Sequence, residues 1–393
     1  MSFVRINPGD LMQAVNVNQI IDALTGAVGK GVAMAFTALS DASNYALTVQ
    51  NQEATNSRAL LVLKSDGTMM ERIDNTGISF GTPLNLANNS VQGAALVDAG
   101  VPNAKLGPDV ARANQLVNGG FDWWQRGAGP FSTNNVYTAD RWLASMGAGG
   151  TFSISQDQVN VDIGSPAALA WTYTHGGTLS TVFQKLESAV AFRSRTITFS
   201  VRVRTSTANA VRAFVTPSVT GQQFSTYHSG GGTYETLSLT VTVASNETQI
   251  LVGVATSNSC TAYLDNANLV VGSQAANYVP LPTADDFNRC LRYYEVFDQP
   301  GLWLAGMAIG SPTVYFVLPY KAKAVTPTLN FSAPGNYQAV TASGGSTALT
   351  AISATHAGLN SGGVQGSVSG LTQGNATILL GTAGGTISVE ANP

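Results

Sequence analysis

Apolar positions fall at helical spacing near the start of the chain, then alternate with polar ones through most of its remaining length. Val17, Ile20, Ile21 and Leu24 stand at i, i+3, i+4 and i+7, a single stripe along one helix face. Asn16 with Gln19 forms a weak capping box, and Gly26 supplies the stop. So short a helix with one stripe is unstable alone in water. It is expected to cap its own domain, to self-associate about an axis, or to dock on a larger assembly.

From Gly31 to Gly81 the period becomes two. Tyr45, Leu47 and Val49 alternate with small or polar residues, as in a half-buried strand. Leu60 to Lys64 and Met69 to Ile73 flank Asp66-Gly67 and predict a β-hairpin. Asp74 to Gly77 turns again before Ile78-Ser79-Phe80. Strands this short give one chain little core, and intertwining three copies would supply it. Pro83 to Asn114 has no clear period and is expected to be a linker with at most one short helix, near Asp109 to Asn114.

Strand alternation dominates again from Leu116. Val201 and Val203 alternate with Arg202 and Arg204, and similar runs surround Phe152, Trp171, Phe214, Leu239, Val252 and Leu264. Such a series of strands spaced by turns predicts an antiparallel sandwich of jelly-roll type. Pro280-Leu281-Pro282 interrupts it. Thr283 is the expected N-cap of a connecting helix whose face is Phe287, Cys290, Leu291 and Tyr294. Thr313 to Leu318 and Thr328 to Phe331 then read as strands, followed by a Gly/Ser/Thr/Ala-rich run to Pro393. Uncharged strands with few large side chains bury poorly alone and suggest oligomeric β-structure.

The expected fold is therefore mostly β: a short N-terminal helix, a β-stranded trimeric stalk, a jelly-roll β-sandwich and a C-terminal β domain. The expected boundaries are an attachment segment over 1–30, a stalk over 31–86 and a linker over 87–114. The jelly roll follows over 115–283, and the connecting helix with the C-terminal β domain over 284–393.

Composition narrows the function. Charged residues are 10% of the 393, against roughly 25% in ordinary domains. A normal hydrophobic content of 44% argues against disorder. A formal net charge of -3 without a basic cluster argues against nucleic-acid binding. Ala324 to Val389 carries no Asp, Glu, Lys or Arg, yet holds no window of ~18 apolar residues, so no membrane insertion is expected. Met1 to Asp10 shows no secretory signal. Cys260 and Cys290 are too few for a disulfide framework and read as buried free thiols of a chain folded in a reducing compartment.

Candidate chemistry is sparse. Gly77-Ile-Ser79-Phe-Gly81 has the spacing of a nucleophile elbow but sits in a strand-like run. His175, His228 and His356 are scattered, without metal-ligand spacing. Gly26 to Gly31 lacks the Walker pattern. No acid pair suited to glycan cleavage is flagged, so no enzymatic activity is expected. Trp123, Trp124 and Trp142 are assigned to core and edge. Trp171 and Tyr173, two apart on one strand, share a face and are candidates for stacking on sugar rings. So are Tyr227 and His228 in the polar Gly221 to Gly232 loop, and Trp303 in the C-terminal domain.

Three segments belong together. Gln115-Leu-Val-Asn-Gly-Gly-Phe-Asp-Trp-Trp-Gln-Arg-Gly127, Tyr137-Thr-Ala-Asp-Arg-Trp142 and Asp286-Phe-Asn-Arg-Cys-Leu-Arg-Tyr-Tyr294, with Tyr263-Leu-Asp-Asn-Ala267, closely resemble a β-sandwich of bacteriophage tail fibres and related virion adhesins. The Asn16 to Gly26 helix, Asn56 to Gly67 and the linker around Ala104 to Pro108 are similar to fibre stalk segments. The resemblance implies a homotrimeric virion protein, located in the tail and folded in the host cytoplasm. It implies a central domain similar to carbohydrate-binding-module jelly rolls. Attachment to other virion proteins falls to the N-terminus, through Val17, Ile20, Ile21 and Leu24. The resemblance also implies a structural calcium held by Asp122 and Asp265, Asp122 standing where Glu is more usual. Three functions follow as expectations: non-catalytic binding of a host surface glycan for adsorption, a purely structural fibre or head decoration, or a polysaccharide depolymerase.

Overall fold

The computed structural model describes three strands between residues 58 and 80, together with residues 113–393 apart from 300, 342 and 343. The chain divides into two units, Met1–Leu96 and Val97–Pro393. The expected N-terminal helix with Val17, Ile20, Ile21 and Leu24, and the linker before residue 113, lie outside the described residues.

In the first unit β1 (Arg58–Leu63), β2 (Met69–Asp74) and β3 (Gly77–Phe80) form an antiparallel meander. β1 and β2 pair as the hairpin pattern predicts, with Leu61 opposite Arg72. Ser79 lies opposite Arg72 within β3. It is a mid-strand residue, whereas a nucleophile elbow places its serine in the turn between strand and helix.

The second unit opens with a sandwich. Its strands are β4 (Val136–Tyr137), β5 (Leu143–Met146), β6 (Thr151–Asp157), β7 (Ala168–Thr174) and β8 (Ser180–Lys185). They continue with β9 (Thr196–Thr205), β10 (Val211–Pro217), β11 (Gln223–Tyr227), β12 (Tyr234–Thr242), β13 (Ile250–Thr256) and β14 (Cys260–Val271). A six-stranded sheet runs β11-β10-β13-β8-β5-β4, and a five-stranded sheet runs β12-β9-β14-β7-β6. From β7 onward nearly every connection crosses between the sheets, the winding of a jelly roll.

Alternation builds the core. Ile197, Phe199, Val201 and Val203 of β9 face Val211, Ala213 and Val215 of β10, with Val252 and Val254 of β13, in one buried cluster. The outer face of the five-stranded sheet is a hydroxyl surface. There Thr198 bonds Thr240 at 2.9 Å and Thr172 bonds Thr261 at 3.2 Å, hydroxyl pairs that tie neighbouring strands together.

Helix α1 (Thr283–Leu291) follows. Pro282, not Thr283, occupies the N-cap, and no side chain caps the helix. Asp285 and Asp286 in its first turn meet the positive end of the helix dipole instead. Tyr294 lies beyond the helix, at the start of β15 (Tyr294–Asp298). The remaining strands are β16 (Trp303–Gly310), β17 (Thr313–Pro319), β18 (Thr328–Phe331), β19 (Tyr337–Thr341) and β20 (Ser346–Ala348). They end with β21 (Ala351–Ala357), β22 (Ser361–Ser367), β23 (Ala376–Gly381) and β24 (Thr386–Glu390). A seven-stranded sheet, β20-β19-β23-β16-β17-β22-β21, and a small β15-β24-β18 sheet share a core of Leu304, Phe316, Leu318, Tyr337, Leu379 and Val389. The Gly/Ser/Thr-rich tail thus contributes the six strands β19 to β24. Cys260 and Cys290 are buried and unpaired.

Candidate functional site

The segments that resemble fibre sandwiches converge on one place, the junction between the jelly roll and the C-terminal strands. Asn118 organises it from a left-handed conformation (φ 54) that Asn tolerates better than most residues. Its Nδ2 donates to Trp123 O at 2.9 Å and to Asp140 O at 3.2 Å, and its own carbonyl accepts Trp142 Nε1 at 2.9 Å. Gly119 has no alternative, because a Cβ there would stand 2.3 Å from Ala267 O. Trp142 is fully buried and stacks on Phe121 at 4.6 Å, while Trp123 packs on Phe287 of α1 at 4.5 Å. These tryptophans belong to core and edge, as the sequence suggested.

Two arginines close the junction. Arg141 lies 4.0 Å over the Tyr293 ring and donates to Asn392 Oδ1 at 3.1 Å. Tyr293 donates its hydroxyl to Glu187 at 2.5 Å, and Glu187 also accepts both arms of Arg292. These bonds hold the Glu187 carboxyl below the usual carboxylate range, with the Arg292 bond the largest cause. The junction is a built structural seam.

The proposed sugar-stacking residues scatter. Trp171 and Tyr173 do share a face, but it is the core face, where they are 0% and 1% exposed. A ring without an exposed face offers a pyranose nothing to stack on, and both are corrected to core residues. His228 is also fully buried. Its Nδ1 accepts the Gly230 amide at 2.9 Å and its Nε2 donates to Val203 O at 3.0 Å, so it pins the loop before β12. Trp303 is exposed, on the C-terminal sheet. Tyr227 alone lands on the outer surface of the jelly roll, half-buried at the end of β11.

Tyr227 stands beside a feature that sequence reasoning missed. Register places Phe224 opposite Phe214, Phe214 opposite Gly253, Gly253 opposite Phe183, Phe183 opposite Leu143, and Leu143 opposite Tyr137. One row therefore crosses the whole outer face of the six-stranded sheet. Phe183 and Phe214 come within 6.3 Å, and Phe214 and Phe224 within 6.4 Å. Gly253 is the notch in this row, since a Cβ there would meet Val182 O at 2.2 Å.

Above the row, Arg212 pairs with Tyr227 across the strands. Its guanidinium sits 3.5 Å over Phe224 and 4.7 Å over Tyr227, a cation held flat by two rings. Arg212 Nε and Thr216 Oγ1, both on this face of β10, are buried without a protein hydrogen-bond partner. Rings to stack on, with a fixed fork of donors beside them, are what a polyhydroxylated ring needs. The Phe–Arg alternation of Arg212, Phe214 and Thr216 was visible in β10, but not the partners it would meet.

The calcium expectation was tested on the two acids. Asp265 is fully buried, and its carboxylate already accepts Asp162 N at 2.9 Å, Ser165 Oγ at 2.8 Å and Asn266 N at 2.8 Å. Burial pushes its carboxyl up to about 6 despite those donors. Asp122 instead shares a cleft of about 340 Å³ with Asp286, Trp123 and Tyr278. Burial, then the Asp286 charge, raises the Asp122 carboxyl, and its Oδ1 is buried without a partner. Among the described residues no three His, Cys, Asp or Glu side chains group as a metal site. The Asp122–Asp265 pair does not fit a calcium ion, because Asp265 would first have to give up its protein donors.

No protein-family model and no curated protein matches the chain. Solved structures do. The enzymatically active domain of tailspike protein 4 of bacteriophage CBA120 is similar at TM-score 0.29 and 13% identity, over 40% of this chain and 21% of that one. The CBM22-1 xylan-binding domain of Paenibacillus barcinonensis Xyn10C is similar at 0.30 and 13%, over 42% of this chain and 98% of that one. TmCBM61, solved with β-1,4-galactotriose, is similar at 0.29 and 11%, over 41% and 99%. The chain thus spans about a fifth of the tailspike's length and nearly all of each binding module. Identities and scores this low assign it to no family.

Proposed function

We propose that this chain is a homotrimeric bacteriophage fibre protein that binds a host cell-surface glycan through the outer face of its jelly roll, without cutting it. The observation that carries the reading is the set of half-buried rings Phe183, Phe224 and Tyr227 on the outer face, joined by the buried Phe214, with Arg212 held flat against Phe224 and Tyr227. Sugar C–H faces stack on the half-buried Phe183, Phe224 and Tyr227 rings, Phe214 being buried between the first two, and the guanidinium donates to ring hydroxyls. No residue of that row, nor Arg212 or Thr216, is a carboxylate. Glycan cleavage needs two of them, so this face binds and releases.

A single shallow sugar site is weak. Three copies on one fibre raise avidity by roughly 10²–10⁴ without a new contact. Attachment to the virion tail falls to the N-terminal stripe of Val17, Ile20, Ile21 and Leu24. Folding in the host cytoplasm is consistent with two buried, unpaired cysteines.

Labelled full-length protein should stain host cells, compete with virus for adsorption and release no reducing ends from purified host polysaccharide. The loss of Trp171 and Tyr173 to the core favours a second reading, a purely structural fibre or head decoration. That reading replaces the first if the protein stains no host cell and virus lacking it adsorbs normally. Released reducing ends would install a depolymerase.

A further inference from the structure

The seven-stranded C-terminal sheet is apolar on both faces of its central strands β23, β16 and β17. Its inner face carries Leu304, Val314, Phe316 and Leu379 into the core. Its outer face carries Trp303, Met307 and Ile309 on β16, Tyr315 and Val317 on β17, and Ile378 on β23, all exposed, Trp303 by 60% and Val317 by 63%. Register makes them one patch: Met307 lies opposite Tyr315, and Ala305, between Trp303 and Met307 along β16, lies opposite Ile378. Strands that are apolar on both sides are characteristically covered on both sides. Among the described residues only the inner side is covered.

The edge of the same sheet shows the same lack. β21 is exposed along most of its length, on both faces. Monomeric proteins guard such an edge with lysine, proline or an inward charge, and β21 carries none of these.

We propose that a second copy of this chain covers that face. This rests on the trimeric-fibre reading and names the surface by which the fibre closes. Charge selects the occupant. No Asp, Glu, Lys or Arg occurs from Ala324 to Val389, and those of the face outside that span are likewise uncharged. A partner of ordinary composition would bury unpaired charges here at a cost, whereas another copy brings the same uncharged face. The apolar part spans β23, β16 and β17, about 4.8 Å apart and about 24 Å long, roughly 350 Å², and the flanking β19 and β22 extend it with uncharged positions.

Two measurements on the full-length protein test this. In the wild type, peroxide should oxidise Met307 at least ~10-fold more slowly than an exposed methionine, although it is 48% exposed in the single chain. Val317→Lys and Met307→Lys should lower the mass by light scattering from trimer to monomer, with the far-ultraviolet dichroism of the β-fold retained. A wild-type trimer whose Met307 oxidises freely would overturn the surface and leave the trimer standing, whether or not the lysine variants fold. A folded lysine variant that stays trimeric would do the same. A monomeric wild type would overturn both.

Discussion

The Arg126 guanidinium lies 3.6 Å from the centre of the Tyr294 ring and reaches Glu390 at 2.8 Å. It also lies 5.2 Å over Tyr137, the last member of the aromatic row. One side chain from the jelly-roll entry segment thus ties the sheet that carries the candidate glycan face to the first and last strands of the C-terminal domain. Gln125 reinforces the tie, donating to Asp140 at 2.6 Å and to Tyr294 O at 3.1 Å.

Arg126→Ala should destabilise the protein by about 1–3 kcal/mol, since it leaves Glu390 and Asp140 without their guanidinium. A double-mutant cycle with Tyr294→Ala, read by thermal or denaturant unfolding, should show coupling of about 0.5–2 kcal/mol. Additive losses would mean that the ring contact contributes nothing.

On the glycan face, Arg212→Ala and Tyr227→Ala should each weaken cell labelling several-fold while the melting temperature falls little. Trp171→Ala should behave oppositely. Removing a fully buried indole costs about 3–5 kcal/mol, so it should unfold the jelly roll rather than spare the fold and lose the ligand. Selective loss of labelling in a stable Trp171→Ala variant would restore the stacking role assigned from sequence.

The acid limb of stability should report Glu247. Despite burial, hydrogen bonds from Thr220, Val219 and Ser218 hold its carboxyl down at about 2. Its folded value lies below its unfolded one. The stabilisation is therefore full above about pH 4.5 and is lost as pH falls toward 2. Glu247→Gln should be less stable than wild type at pH 7, and the gap should close between those limits. A constant gap would assign the effect to packing.

Asp265 predicts the reverse slope. With its carboxyl raised to about 6 by burial, the folded state holds a proton that the unfolded chain releases. Its contribution should rise as pH falls from about 6 toward 4, and Asp265→Asn should flatten that segment of the curve.

Chelation should leave the melting temperature of the full-length protein unchanged, because Asp265 is committed to protein donors. A fall with chelator that calcium restores, and that Asp265→Asn abolishes, would return the metal to this pair.

By itself the sequence determined that the chain is built of strands and that a short helix separates two β regions. Alternation of period two carries that much, because neighbouring side chains must leave a strand on opposite sides. It also put Trp171 and Tyr173 correctly on one side. Which side is the core was decided by the sheet that packs against them, a choice the period cannot express. The tail after Phe331 shows the same limit: with so many small residues its alternation is faint, and the strands appear through partners such as Tyr337 with Gly381.

The aromatic row lay beyond local reading for a further reason. Phe183, Phe214 and Gly253 come from three separate strands and meet only through long-range register. Only tertiary structure sets that register, since each strand's partner is chosen by the burial of the entire sheet.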